Sequence, residues 1–219
     1  MFVGHYAVSF GLKAYDTRLS LGWLFVGAMF YDIVWCLTVP LGIERIAMVP
    51  ERYAWVPIEF EFIPYTHSLL GAVLWAGLVF VVFRVLAGAT APWKGRAAAW
   101  IAAATFSHWL LDVVVHRADL PLLLNNDYRV GLGLWNYRYP SLILEMVLIL
   151  LGMGWYRLKT KPRTRWGSRG LFGFAALMVV MGVAFYFVRD VSKAMLMAFS
   201  FGSFGLLTAI AFWLDRHRD

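Results

Sequence analysis

The chain has 219 residues, of which 61% are hydrophobic and only 15% charged, against about 25% charged in an ordinary soluble domain. A mean hydropathy of +0.67 excludes a disordered chain and argues against a soluble globule, whose interior at this size is too small to hide so much apolar surface. The net charge is +7, but the basic residues lie between apolar runs, so topology accounts for them and no nucleic-acid partner is expected.

Taken in chain order, the N-terminal MFVGHYAVSF has no Lys or Arg before its apolar stretch and no small-x-small cleavage site, so a signal peptide is not expected. Residues Met1–Tyr15 are apolar but short and read as a half-helix or re-entrant segment packed inside a bundle. Six runs then approach the 20 or so residues that cross a bilayer core: Leu19–Val39, Thr66–Gly88, Arg96–His116, Pro140–Leu158, Gly170–Val188 and Lys193–Leu214. The expected fold is all-α, a polytopic helical membrane protein forming one integral membrane domain over 1–219. The single cysteine, Cys36, leaves no intrachain disulfide.

The loop Arg157–Arg169 holds Arg157, Lys159, Lys161, Arg163, Arg165 and Arg169, which by the positive-inside rule makes it cytoplasmic. Alternation of spans adds Lys13, Arg18, Arg84, Lys94, Arg96, Arg216 and Arg218 to that side. Arg45, Arg52, Arg117, Arg129, Arg138, Arg189 and Lys193 fall on the outer side.

Ionisable groups inside spans are expensive and mark functional sites. The run FSHWLLDVVVHRADLP places His108, Asp112 and His116 at i, i+4 and i+8, on one helix face and about 6 Å apart along the axis. His5 in the first segment, Asp32 in the first long span, His67 at the start of the second and Glu145 near the start of the fourth fall, by the same topology, in the same outer half of the bilayer. Imidazole with carboxylate suits zinc, iron or manganese, so one or two ions are expected on His5, Asp32, His67, His108, Asp112 and His116. Glu145 is left open as a ligand, a partner of a ligand histidine or a general acid/base. Glu59 or Glu61 is a further candidate proton shuttle. Arg117 is a candidate phosphate clamp, and Trp135 and Asn136, in GLGLWNY, are candidates for the entrance.

The segments GHYAVSFG, MFYDIVW, PYTHSLLGA and FSHWLLD resemble the membrane-bound metal-dependent hydrolase family (YdjM-like), over about residues 1–145. The family pattern has two aspartates where this chain has Asp32 alone. The order His5, Asp32, His67, His108, Asp112, His116, Glu145 is also similar to the ligand order of zinc-dependent phospholipases C and the related single-strand nucleases. Those enzymes carry a further histidine near the place of Ser141. The resemblance implies a zinc-dependent hydrolase of the bacterial inner membrane. A site at the outer interface opens sideways to lipid, so the expected substrate is an amphiphile with a phosphodiester or phosphomonoester. Two other classes use the same residues: a transporter of divalent metal or protons, and a structural membrane protein with a stabilising metal.

Overall fold

The computed structural model describes residues 1–50, 55–86, 92–188 and 190–219. Arg52, Arg189, residues 87–88 at the end of the second expected span and the side chain of Lys94 lie outside the described residues.

Among the described residues, five helices are long and apolar enough to cross a membrane. They are α5 (Leu69–Leu86), α6 (Pro92–Val115), α7 (Arg138–Lys159), α8 (Arg165–Phe187) and α9 (Lys193–His217). Hydroxyls start several helices: the side chains of Ser20, Thr164 and Ser192 accept from the amides of Trp23, Gly167 and Met195, each three residues on.

The first expected span, Leu19–Val39, is two helices. α2 (Leu21–Ala28) and α3 (Phe30–Thr38) meet at 49°. Met29, at φ −106° and ψ 11°, stands between them outside the helical region. At Gly27 the backbone approaches α6 so closely that a Cβ would lie 2.9 Å from the carbonyl oxygen of Ile101. Hydropathy reads composition and not backbone angle, so the bend is invisible in an unbroken apolar run.

Ahead of these lies α1 (Tyr6–Tyr15), preceded by a short 3-10 turn, Val3–His5. Val3, Tyr6 and Phe10 are completely buried, and α1 packs on both α7 and α2. The short first segment therefore sits inside the bundle and carries His5 with it.

Two strand pairs interrupt the helical order. β1 (Arg45–Met48) and β2 (Ile58–Phe62) form an antiparallel hairpin, and β3 (Leu120–Pro121) pairs with β4 (Arg129–Val130). A short α4 (Pro64–His67) links the hairpin to α5. These elements gather over one end of the bundle. At the other end Lys13, Arg18, Arg163, Arg216 and Arg218 line a common pocket, and Pro162 bridges to Arg218.

Candidate metal centre

Six side chains from four segments meet beneath the hairpin. His5 Nε2 lies 3.1 Å from Asp112 Oδ1, and His108 Nε2 lies 3.1 Å from Asp112 Oδ2 and 3.7 Å from Asp32 Oδ1. His67 Nε2 is 3.2 Å from Asp32 Oδ1 and 4.0 Å from Asp112 Oδ2. Two overlapping sets of three, His5/His108/Asp112 and Asp32/His67/His108, have ligand atoms close enough to share an ion, and they have His108 in common. His116 stands at the edge, with Nε2 3.8 Å from Asp112 Oδ1. All but Asp32 are buried. The amine of Met1 also reaches Asp112 Oδ1, at 2.8 Å.

Three of the histidines are fixed through the ring nitrogen that faces away from the cluster. His108 Nδ1 lies 2.7 Å from the Ala28 carbonyl oxygen, an acceptor only, so it donates there. His116 Nδ1 donates to Asp119 Oδ1 at 2.9 Å. His67 Nδ1 is 2.7 Å from Thr66 Oγ1. The Thr66 hydroxyl spends its single proton on Glu44 Oε2 at 2.8 Å, so it accepts from His67. Glu44 is held in turn by Thr38 Oγ1 and by the amides of Tyr65 and Thr66. Each neutral ring is thereby committed to one tautomer with the Nε2 lone pair aimed inward, the arrangement that outer partners impose on metal-binding histidines.

The donor set fits a divalent cation. With Nδ1 protonated, His108 presents an acceptor lone pair to two carboxylates, and among the described residues its buried Nε2 has no hydrogen-bond partner. Both ring nitrogens of His5 are in the same condition. Acceptors that face one another in a buried site need a positive charge between them. Asp32 and Asp112 together supply two negative charges against the single positive charge of the Met1 amine, so the cluster keeps a negative balance that a cation would offset. Imidazole nitrogen and carboxylate oxygen are ligands for zinc, iron or manganese rather than calcium.

The other expected site residues divide. Trp135 is buried over the cluster, its ring 4.2 Å from that of His116 and nearly parallel to Phe60. It is placed there by a glycine loop closing on the end of α6. Leu132 and Gly133 donate to the carbonyls of Val113 and His116, and Gly133 takes a φ of 74°. Asn136 is exposed, does not line the cavity beside the cluster, and accepts from Arg117 Nε at 3.2 Å.

Glu145 is buried but lies on neither ligand set. Its carboxylate accepts from the amides of Phe2 (2.9 Å) and Gly4 (3.3 Å) and from the Tyr186 hydroxyl (2.8 Å). It is thus an acceptor for the N-terminal turn that carries His5. Glu61 is not brought to the cluster at all. Strand residues alternate faces: Ile58 and Phe60 of β2 are buried toward the site, while Glu61 is exposed and its carbonyl accepts from Asn126 and Arg129.

A scan against protein-family models, a search of curated proteins and a search of solved structures each find no match to this chain. The site is therefore read from its own chemistry. Two parts of it, Glu44 and Asp119, carry no conspicuous sequence signal beyond the position of Asp119 three residues after His116. Thr66 stands directly before His67 in the Thr-His-Ser triplet.

Beside these residues is a cavity of about 60 Å³, lined by Asp32, His67, Asp112 and His116 and by Phe60, Trp135, Phe185 and Phe204 among others. Asp32, the one ligand with appreciable exposure, faces it with 15% of its side chain accessible.

Proposed function

We propose that the chain is a membrane-embedded, metal-dependent hydrolase of a lipid-like substrate, holding one or two zinc ions in the His/Asp cluster at the outer half of the bilayer. The observation that carries the reading is the pair of three-ligand sets sharing His108, with His67, His108 and His116 each locked with Nε2 inward. His5, His108 and Asp112 hold one ion, and Asp32, His67 and His108 are the set for a second.

Held by these residues, a zinc ion would supply an activated water at neutral pH and stabilisation for an oxygen that gains charge. The protein's own residues supply the rest. Asp32 is the ligand most open to the cavity, so the reacting group approaches on its side. Phe60 and Trp135 keep bulk water off the ligands. Arg117, the residue after His116, is the candidate to meet a phosphate oxygen, with Asn136 Oδ1 accepting from its Nε. The loop 157–169 is cytoplasmic in this reading, at the end of the bundle opposite the site, and the membrane is the bacterial inner membrane.

The test begins with bound metal. Purified wild type is expected to carry about one or two zinc ions per chain, His108→Ala, which breaks both sets, to carry none, and Asp112→Ala to lose the ion of its own set. Zinc-loaded wild type is then screened against lipid phosphodiesters and phosphomonoesters. A wild type that stays metal-free after zinc loading overturns the proposal.

A further inference from the structure

A second space adjoins the cavity beside the ligands. Ile58, Phe185 and Leu196 form part of the cavity's wall and also part of the wall of this second space, of about 180 Å³. This groove runs between the β1–β2 hairpin, the end of α8 and the start of α9. Every residue lining it is apolar, Ala184, Val188 and Phe199 among them. Its outer margin is open: Val188 is 50%, Met195 62% and Phe199 55% exposed. α8 and α9 are both long and apolar enough to cross a membrane, and an apolar margin at their ends is one that lipid chains can reach.

We propose that this groove holds one hydrocarbon chain of a membrane phospholipid whose phosphate head lies in the metal cavity. The inference rests on the hydrolase reading of that cavity and adds where the substrate's tail goes. The polar ligands and the apolar groove share three wall residues, so an amphiphile with a polar end and a hydrocarbon end matches them in order. A headgroup is excluded from the groove because no lining residue can pair with it. A peptide is excluded because its amides would be buried without partners. A hydrocarbon tail leaves nothing unpaired, and it enters sideways from the bilayer past Val188 and Phe199.

The experiment uses the full chain, zinc-loaded, in phosphatidylglycerol vesicles containing a fraction of phosphatidylglycerol with a photoreactive diazirine in mid-chain. After irradiation, adducts are mapped by peptide mass spectrometry. Leu74, Val81 and Val85, exposed on α5, report ordinary contact with bulk lipid. Labelling at Phe185, Leu196 or Phe199 is expected to exceed that at α5 by about tenfold, a preference of roughly 1.4 kcal/mol. It should fall to the α5 level in Ala184→Trp and in Val188→Trp, two separate ways of filling the groove. Equal labelling of groove and α5 in wild type, or undiminished groove labelling in both variants, overturns the proposal. Zinc content of the same samples separates the two ideas. Zinc retained with no selective groove labelling refutes the chain site alone. Zinc absent with selective labelling refutes the metal reading alone.

Discussion

The Nδ1 of His108 and the carbonyl oxygen of Ala28 are 2.7 Å apart, and that carbonyl is the last of α2 before the chain bends. The bend and the ligand are therefore linked. The end of α2 fixes the ring of His108, and the 49° turn sets the direction of α3, on whose first turn Asp32 stands. An uninterrupted helix over Leu19–Val39 would aim both differently.

Gly27 is where this link is most vulnerable. A Cβ there meets the Ile101 carbonyl oxygen at 2.9 Å and the Thr105 hydroxyl at 3.2 Å. Gly27→Val is expected to force α2 away from α6, costing about 1–3 kcal/mol in stability, and to displace the Ala28 carbonyl from His108. Zinc occupancy should drop with it. Gly77→Val, at a position with nothing within 4 Å, is the control. Thermal unfolding in detergent and metal content check both, and a Gly27→Val protein that keeps full zinc would break the connection.

The outer partners of His67 and His116 should matter nearly as much as the ligands. Thr66→Val removes the acceptor of the His67 Nδ1 proton and takes a donor from Glu44. Asp119→Asn weakens the acceptor of the His116 proton. Each is expected to weaken zinc binding by about 10- to 100-fold, measured by competition with a chelator. Thr66→Ser, which restores the hydroxyl, should recover most of the loss for His67. Equal affinity in Thr66→Val and wild type would mean that the tautomer of His67 is set elsewhere.

The residues of the His/Asp cluster are legible in the sequence because each is an expensive polar residue in an apolar run. His108, Asp112 and His116 share a helix face by spacing alone, and the depth argument brings His5, Asp32 and His67 to the same level. Asp119 and Glu44 were not legible, because a carboxylate in a polar loop has no anomalous neighbourhood to mark it. Its role depends on which ring nitrogen it faces. The two strand pairs were missed for a related reason. They are short, and β3 and β4 contain only two residues each, too few for a period-2 pattern to emerge.

Glu145 illustrates how proximity leaves a role undecided. The sequence expects it at the level of the His/Asp cluster. The structure surrounds it with the Phe2 and Gly4 amides and the Tyr186 hydroxyl. Tyr186→Phe is expected to lower stability by about 1.5–3 kcal/mol, the range for a hydrogen bond to a charged group. Zinc content should stay at the wild-type level, since Tyr186 touches no member of either ligand set. Glu145→Gln should destabilise more, because the amide's NH₂ must face one of three donors. A Glu145→Gln protein of undiminished stability but with one zinc ion fewer would instead make this carboxylate a ligand.

Adjacent residues of β2 offer the sharpest contrast. Phe60 is buried, with its ring 4.8 Å from that of His116 and 6.2 Å from that of Trp35. Glu61, the next residue, is exposed on the other face. Phe60→Ala removes the apolar wall between the ligands and water. It should cost about 3–5 kcal/mol where the site cannot collapse and lower turnover of a lipid phosphodiester by more than it lowers zinc content. Glu61→Ala should change stability by no more than about 0.5 kcal/mol, as an exposed substitution does, with turnover and zinc content intact. The period-2 alternation of a strand allows only one of two neighbours to face the cavity. A large loss of turnover in Glu61→Ala with Phe60→Ala unaffected would require the opposite register for β2.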